Sequence, residues 1–270
     1  MRQFAFFTAL LLVLAAGASA QDEHAKRKKL LAIGMSAGYQ HDSVSHGLAT
    51  MWKLGQQTGL WDTFIRTDTQ LITKKKLPMN GKNLDYFDAI MFYTTLELPL
   101  DDEQKAALLA FVKDDGKGFL GTHSATDTLY KWPEYGEMIG GYFNEHPWHQ
   151  KVRVNVEDRT FPATRDFPAS FEITDEIYQF KEFSRDRVRV LMSLDATSVD
   201  LTKKTVHRTD KDFAVTWVRN YGKGHVFYSS LGHEEQVWDR PDIQHMWIEA
   251  VKWAMGMEPG DATPRPKPAD

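Results

Sequence analysis

The chain contains no cysteine. Disulfides are therefore excluded, so is acyl transfer through a thiolate, and so is bacterial lipid anchoring at a cysteine after a leader. It also lacks a basic stripe: the formal net charge is −4, and charged residues make up 26% of the chain. Without clustered cations to displace phosphate counterions, nucleic acid is not an expected partner. The clusters Lys26-Arg27-Lys28-Lys29 and Lys74-Lys75-Lys76 read as solvated surface. No Walker or Rossmann glycine fingerprint occurs, so no nucleotide cofactor is expected, and no internal repeat is visible. The one long apolar run, Phe4 to Ala16, is too short to span a bilayer comfortably.

That run has the marks of a leader. Arg2 precedes it, and Ala18-Ser19-Ala20 fits the small-residue cleavage rule. Cleavage after Ala20 would release an exported protein, periplasmic or secreted, with no membrane association once the leader is gone. A retained single-helix anchor is the alternative. The expected organisation is a leader over 1–20, a flexible basic segment over 21–28, one domain over 29–256 and a disordered, proline-rich tail over 257–270.

What is present begins with apolar runs of strand length. Leu30-Leu31-Ala32-Ile33-Gly34-Met35-Ser36 reads as a buried parallel strand. Ser43 is a plausible N-cap for a helix carrying Val44, Leu48, Met51 and Trp52 on one face. Phe64 to Thr67 and Ala89 to Tyr93 read as further strands. Asp101-Asp102-Glu103 opens a helix burying Leu108, Phe111 and Val112. This alternation predicts a parallel sheet with helices on both faces. From about 145 to 220 the pattern changes to half-exposed strands, with Lys151 to Val156 and Phe213 to Tyr221 the clearest. Gly222-Lys223 then turns a hairpin into His225 to Leu231. A final helix follows Pro241, with Ile243, Met246, Trp247, Ala250, Val251 and Ala254 on one stripe.

The strand Gly118 to Thr122 runs straight into His123-Ser124-Ala125-Thr126-Asp127. A small-residue strand end of this kind is how an elbow exposes a nucleophile over a sheet. Here a histidine stands at the tip. His41 follows the first strand, and His233 follows Ser229-Ser230-Leu231-Gly232. In an open parallel sheet, ligands bind at the carboxyl ends of the strands, so the three should converge. His146 and His149, in Asn144 to His149, sit where the β-rich segment begins and could fold over the same edge.

Three readings of these histidines stand side by side. In the first, His41, His123, His233 and His146 hold one divalent ion, zinc or similar, although the spacing matches no known metal signature. In the second, His123 and His233 are general acid and base, with Asp127 and Glu235 as carboxylate partners. In the plainest, each histidine caps an element. Ser124 is a weak nucleophile candidate, because its neighbouring histidine cannot easily act as its base. Tyr39, Thr122 and Trp148 look like binding residues, Trp148 as a sugar platform or ordinary packing. Asp175-Glu176-Ile177-Tyr178 places Glu176 and Tyr178 in a loop of the β-rich segment, either to bind substrate or as surface.

Gly121 to Asp127, Trp132-Pro133, Ile139 to Pro147, Asp175 to Tyr178, Tyr221 to Tyr228 and Gly232-His233 together resemble the trehalose-utilisation (ThuA-like) family over roughly Lys29 to Gly256. The resemblance implies an α/β, flavodoxin-like, class I glutamine amidotransferase-like fold. That fold would be a mainly parallel sheet with helices on both faces and a β-rich insertion in the second half. In true amidotransferases the elbow holds cysteine, and a late strand ends in His followed two residues later by Glu. His233 and Glu235 keep those positions while His123 replaces the cysteine, which rules out amidotransferase activity. The family implies a role in carbohydrate catabolism, with a sugar, glycoside or keto-sugar as the small-molecule partner of a hydrolase, lyase or isomerase. A carbohydrate-binding protein without catalysis is the competing expectation. The sequence leaves the oligomeric state open.

Overall fold

A computed structural model describes residues 27–267; the expected leader and most of the expected basic segment lie outside them. Nine strands form one sheet in the order β2-β1-β3-β4-β9-β8-β7-β5-β6. They are β1 (Lys28–Ile33), β2 (Trp61–Arg66), β3 (Ala89–Phe92), β4 (Gly118–Thr122), β5 (Tyr142–Val156), β6 (Ser170–Lys181), β7 (Arg189–Leu194), β8 (Ala214–Tyr221) and β9 (Gly224–Ser229). The helices are α1 (Ser43–Thr58), α2 (Asp102–Lys113), α3 (Pro133–Ile139), α4 (Glu235–Trp238) and α5 (Pro241–Ala254).

The expectation of a mainly parallel sheet needs correction. Only the pairings from β2 through β1, β3 and β4 to β9 are parallel. From β9 outward, through β8, β7, β5 and β6, every pairing is antiparallel. The β-rich segment is thus an extension of the same sheet. Its connections are a tight hairpin at Gly222-Lys223 and longer loops, which permit antiparallel neighbours without crossover helices.

The parallel half explains its own apolar runs. Leu30 and Ala32 face a core shared with α1 and α5, among Leu48, Met51, Phe227 and Trp247. Leu31 and Ile33 face the opposite core, with Leu108 and Phe111 of α2 and Tyr135 of α3. Burial on both faces removes the polar alternation expected of a half-exposed strand. Helix α2 starts as its sequence suggests, with a capping box in which Asp101 and Gln104 satisfy each other's amides. Ser43 does not cap α1. It is the first helical residue, and its Oγ lies 2.5 Å from the Tyr93 hydroxyl instead. Trp52, expected on the buried face, is exposed.

Part of the proline-rich tail contacts the domain. Glu258 pairs with Arg165 at 3.2 Å, and Asp261 with Arg189 at 2.8 Å. The Gly260 carbonyl accepts from Trp253 Nε1, and Ala262 is buried. Among the described residues no helix is long and apolar enough to cross a membrane.

Candidate functional site

The carboxyl ends of β1, β4 and β9 each deliver one histidine to a common point. His41 has the farthest to travel, because β3 lies between β1 and β4. The segment after β1 folds over the end of β3: Ser36 bridges Thr95, the Ala37 amide donates to the Thr95 carbonyl, and Thr95 Oγ1 donates to the Tyr39 carbonyl. This path places the His41 ring 4.7 Å from that of His123 and 5.1 Å from that of His233, nearly perpendicular to both.

His123 is the elbow residue, with a φ of 42° that few non-glycine residues adopt. Gly121 just before it leaves room for Tyr228, Ile139 and Ala125, each of which a Cβ would meet within 3.2 Å. The Tyr228 hydroxyl donates to the His123 carbonyl at 2.7 Å and so fixes the turn. The ring is wholly buried, and its Nδ1 lies 2.8 Å from the Ser230 carbonyl oxygen. A carbonyl only accepts, so the proton sits on Nδ1 and Nε2 presents its lone pair to the cluster. Around Nε2 stand the Tyr178 hydroxyl at 2.9 Å, His233 Nδ1 at 3.2 Å and Glu176 Oε2 at 3.5 Å.

Glu176 and Tyr178 come from the other half of the sheet. They lie inside β6, not in a loop, and both are buried. The Glu176 carboxylate meets three histidines, with His233 Nδ1 at 3.2 Å from Oε2 and His146 Nδ1 at 3.2 Å from Oε1. Glu176 therefore occupies the carboxylate position expected of Glu235. Glu235 starts α4 and lines an adjoining recess of about 230 Å³ that shares Tyr39, His41 and His233 with the main cavity.

The charges follow from this packing. Burial first, and its histidine neighbours second, push the His41 imidazole down to about 3, so it is neutral at ordinary pH. Burial also works against ionisation of Glu176, but the neighbouring His123 and His233 imidazoles outweigh it and hold the carboxyl well below its usual range. Burial opposes the protonation of His233 as well, and there Glu176 prevails and raises it. Asp127 is shifted the opposite way from Glu176: burial raises it, even though Tyr130 donates to it at 2.6 Å.

Could these residues hold a metal? One donor atom each from His41, His123, Glu176 and His233 lie within 4.8 Å of one another. Three imidazoles and a carboxylate are a borderline-soft set suited to zinc and its neighbours. His41 Nδ1 is buried with no hydrogen-bond partner, a cost that an ion would remove. The donor set fits.

Above the cluster lies an open cavity of about 420 Å³. Asp127, His146 and His149 line it beside the cluster, and Tyr39, Phe143 and Tyr178 supply aromatic walls. Tyr39 is two-thirds exposed at the rim. His149 pairs with Glu234 at 2.5 Å. Two residues expected to bind substrate lie elsewhere. Trp148 is fully buried against Phe213, its Nε1 donating to the Asp200 carbonyl, so it offers no platform. Thr122 is buried and donates to the Leu231 carbonyl, tying the end of β4 to the segment after β9. His146 touches Glu176, but its side chain is half exposed and it stands outside the four-donor group. Sequence reasoning did not single out Phe143 or the buried Asp175. The one signal for Asp175 was its place beside Glu176 in an apolar context.

An open α/β sheet with its polar cluster at the strand ends, and a histidine at the elbow, defines the class of protein. The particular family follows from comparison: the model of the ThuA family, described as trehalose utilisation, matches residues 29–254, and the chain belongs to that family. A ThuA-like protein from Bacteroides uniformis ATCC 8492 is similar in structure, with a TM-score of 0.69 at 24% identity, covering 84% of this chain and 91% of that one. A second, from Parabacteroides merdae ATCC 43184, has a TM-score of 0.65 at 16% identity, over 85% and 90%. A cytoplasmic protein from Salmonella typhimurium has a TM-score of 0.55 at 12% identity, over 84% and 98%. No curated protein matches. At these identities the solved structures support the fold, and the family supports a carbohydrate-related role.

Proposed function

We propose that this chain is an exported enzyme of carbohydrate catabolism. It acts on a sugar, glycoside or keto-sugar as a hydrolase, lyase or isomerase, with one divalent ion held by His41, His123, His233 and Glu176. The observation that carries this reading is the convergence of those four donors, with a buried, unpartnered His41 nitrogen, on the floor of a cavity. The leader-like N-terminus supports export.

When bound, the ion would polarise a carbonyl or hydroxyl oxygen of the substrate. The protein's own groups do the rest. The Ser230 carbonyl keeps the His123 proton on Nδ1, so Nε2 faces inward as a donor pair. Asp127, whose proton affinity burial raises, faces the cavity and can hold or pass a proton. Tyr39 and Phe143 present ring faces and edges on which the apolar face of a sugar packs.

Two measurements test this. Elemental analysis of protein purified without a histidine tag should find about one zinc, nickel, cobalt or manganese per chain. A screen of plain and 3-keto disaccharides should find one that is turned over, and His123→Ala should abolish turnover while the protein stays folded. No metal and no chelator effect would remove the ion. Sugar binding without turnover in the wild type would make the chain a binding protein.

A further inference from the structure

Behind the cluster lies a second carboxylate that touches none of the four donors' ligand atoms. Asp175 precedes Glu176 in β6 and is wholly buried. Among the described residues, no lysine or arginine pairs with it. Burying an ionisable group without a cationic partner is costly, and burial does raise its proton affinity. What the carboxylate meets is backbone. Its Oδ2 accepts from the Gly232 amide at 2.7 Å, and its Oδ1 accepts from the Glu234 amide at 3.1 Å. Those are the two amides on either side of His233.

The rest of this turn is fixed as well. Gly232 has a φ of 127°, which strains any residue with a side chain, and an added Cβ would meet the Trp238 indole at 3.0 Å. Its carbonyl accepts from the Tyr93 hydroxyl at 2.6 Å and from Trp238 Nε1 at 3.1 Å. Tyr93 in turn meets Ser43, two residues after His41. One buried polar chain therefore runs from the His41 segment to the His233 segment, and Asp175 ends it with a two-pronged acceptor. An asparagine would offer one acceptor and would turn an amide N–H toward the other backbone N–H.

We propose that Asp175 is a positioning residue. Its forked carboxylate fixes the backbone on both sides of His233, aims the His233 ring at Glu176 and His123, and so sets the geometry of the ion site. This rests on the metal reading above. Groups that orient ligands without touching the ion typically contribute about 10–100-fold to affinity.

The test is a titration of the untagged, chelator-stripped protein with cobalt(II), followed by its visible absorption, which reports ligand geometry as well as affinity. Asp175→Asn should fold, bind cobalt about 10–100-fold more weakly and shift the visible bands. Asp158→Asn is the control. Asp158 is equally buried but pairs with Arg189, so its loss should lower the melting temperature and leave cobalt affinity unchanged. If Asp175→Asn does not fold, Asp175→Ser, which keeps one short acceptor, takes its place in the same titration. Wild-type affinity and spectrum in the Asp175 variant would overturn this inference alone. A wild-type chain that takes up no cobalt would overturn the metal reading and this inference together.

Discussion

The two halves of the sheet build the site in different ways. The parallel half contributes histidines from the loops just past its strand ends, where open α/β sheets place their ligands. The antiparallel half contributes Glu176, Tyr178 and the buried Asp175 from within a strand that lies over that edge. Loop residues can be repositioned cheaply, whereas residues within β6 are held by its ladder to β5. The lesson is that here the sheet itself supplies the carboxylate to histidines borne on loops. β9 is the seam, with β4 parallel on one side and β8 antiparallel on the other.

This comparison can be broken most directly at the proposed metal donors. His233→Ala, in the parallel half, and Glu176→Gln, in the antiparallel half, should each weaken metal binding by more than the roughly 100-fold cost of losing a supporting hydrogen bond. Calorimetric titration with zinc measures both. If Glu176→Gln binds as the wild type does, the antiparallel half is only a cover.

A second contrast sets stability against binding. Trp148→Ala in β5 should destabilise the fold by about 3–5 kcal/mol, as large-to-small core changes do. Tyr39→Ala at the rim should leave the melting temperature unchanged and weaken sugar binding by the ~0.5–1.5 kcal/mol that an aromatic contact contributes. Thermal unfolding and a sugar titration separate the two. A stable Trp148→Ala protein that has lost sugar binding would return that residue to the site.

A further effect concerns pH and belongs to the parallel half. In the metal-free protein His41 stays neutral down to about pH 3, whereas the unfolded chain takes up that proton near 6.5. Its contribution is therefore fully present above about pH 6.5 and is lost as the pH falls toward 3. Denaturant midpoints of chelator-treated protein between pH 7 and pH 4 should fall, and His41→Phe should flatten part of that fall. A slope identical in the variant would mean that His41 titrates normally.

The parallel half was largely legible in the sequence, for a physical reason. Strands such as Leu30 to Ile33 and Ala89 to Phe92 are buried on both faces, and that requirement writes an unbroken apolar run. Histidines at the ends of such runs point to the edge where ligands bind. The antiparallel half was harder to read. β6 alternates exposed and buried residues from Ser170 to Thr174 and is then buried on both faces. The cover over its polar residues comes from segments far along the chain, including the His233 turn, so Asp175, Glu176 and Gln179 look like surface until the sheet is assembled. Trp148 misled for the opposite reason: flanking histidines suggested a pocket wall, but bulges in β5 turn it inward. The prolines of the tail do not prevent Glu258, Asp261 and Ala262 from contacting the domain.

The position of β9 has a consequence in time as well as in space. It is the last strand among the described residues, yet it lies in the middle of the sheet, between β4 and β8. The earlier strands must therefore wait for a late segment to insert between them, and contacts of such long sequence separation are slow to form. Until β9 inserts, His233 has no fixed place beside His123 and Glu176. Capture of the proposed ion should accordingly follow folding rather than guide it, and metal added during refolding should raise the final yield without speeding the main phase.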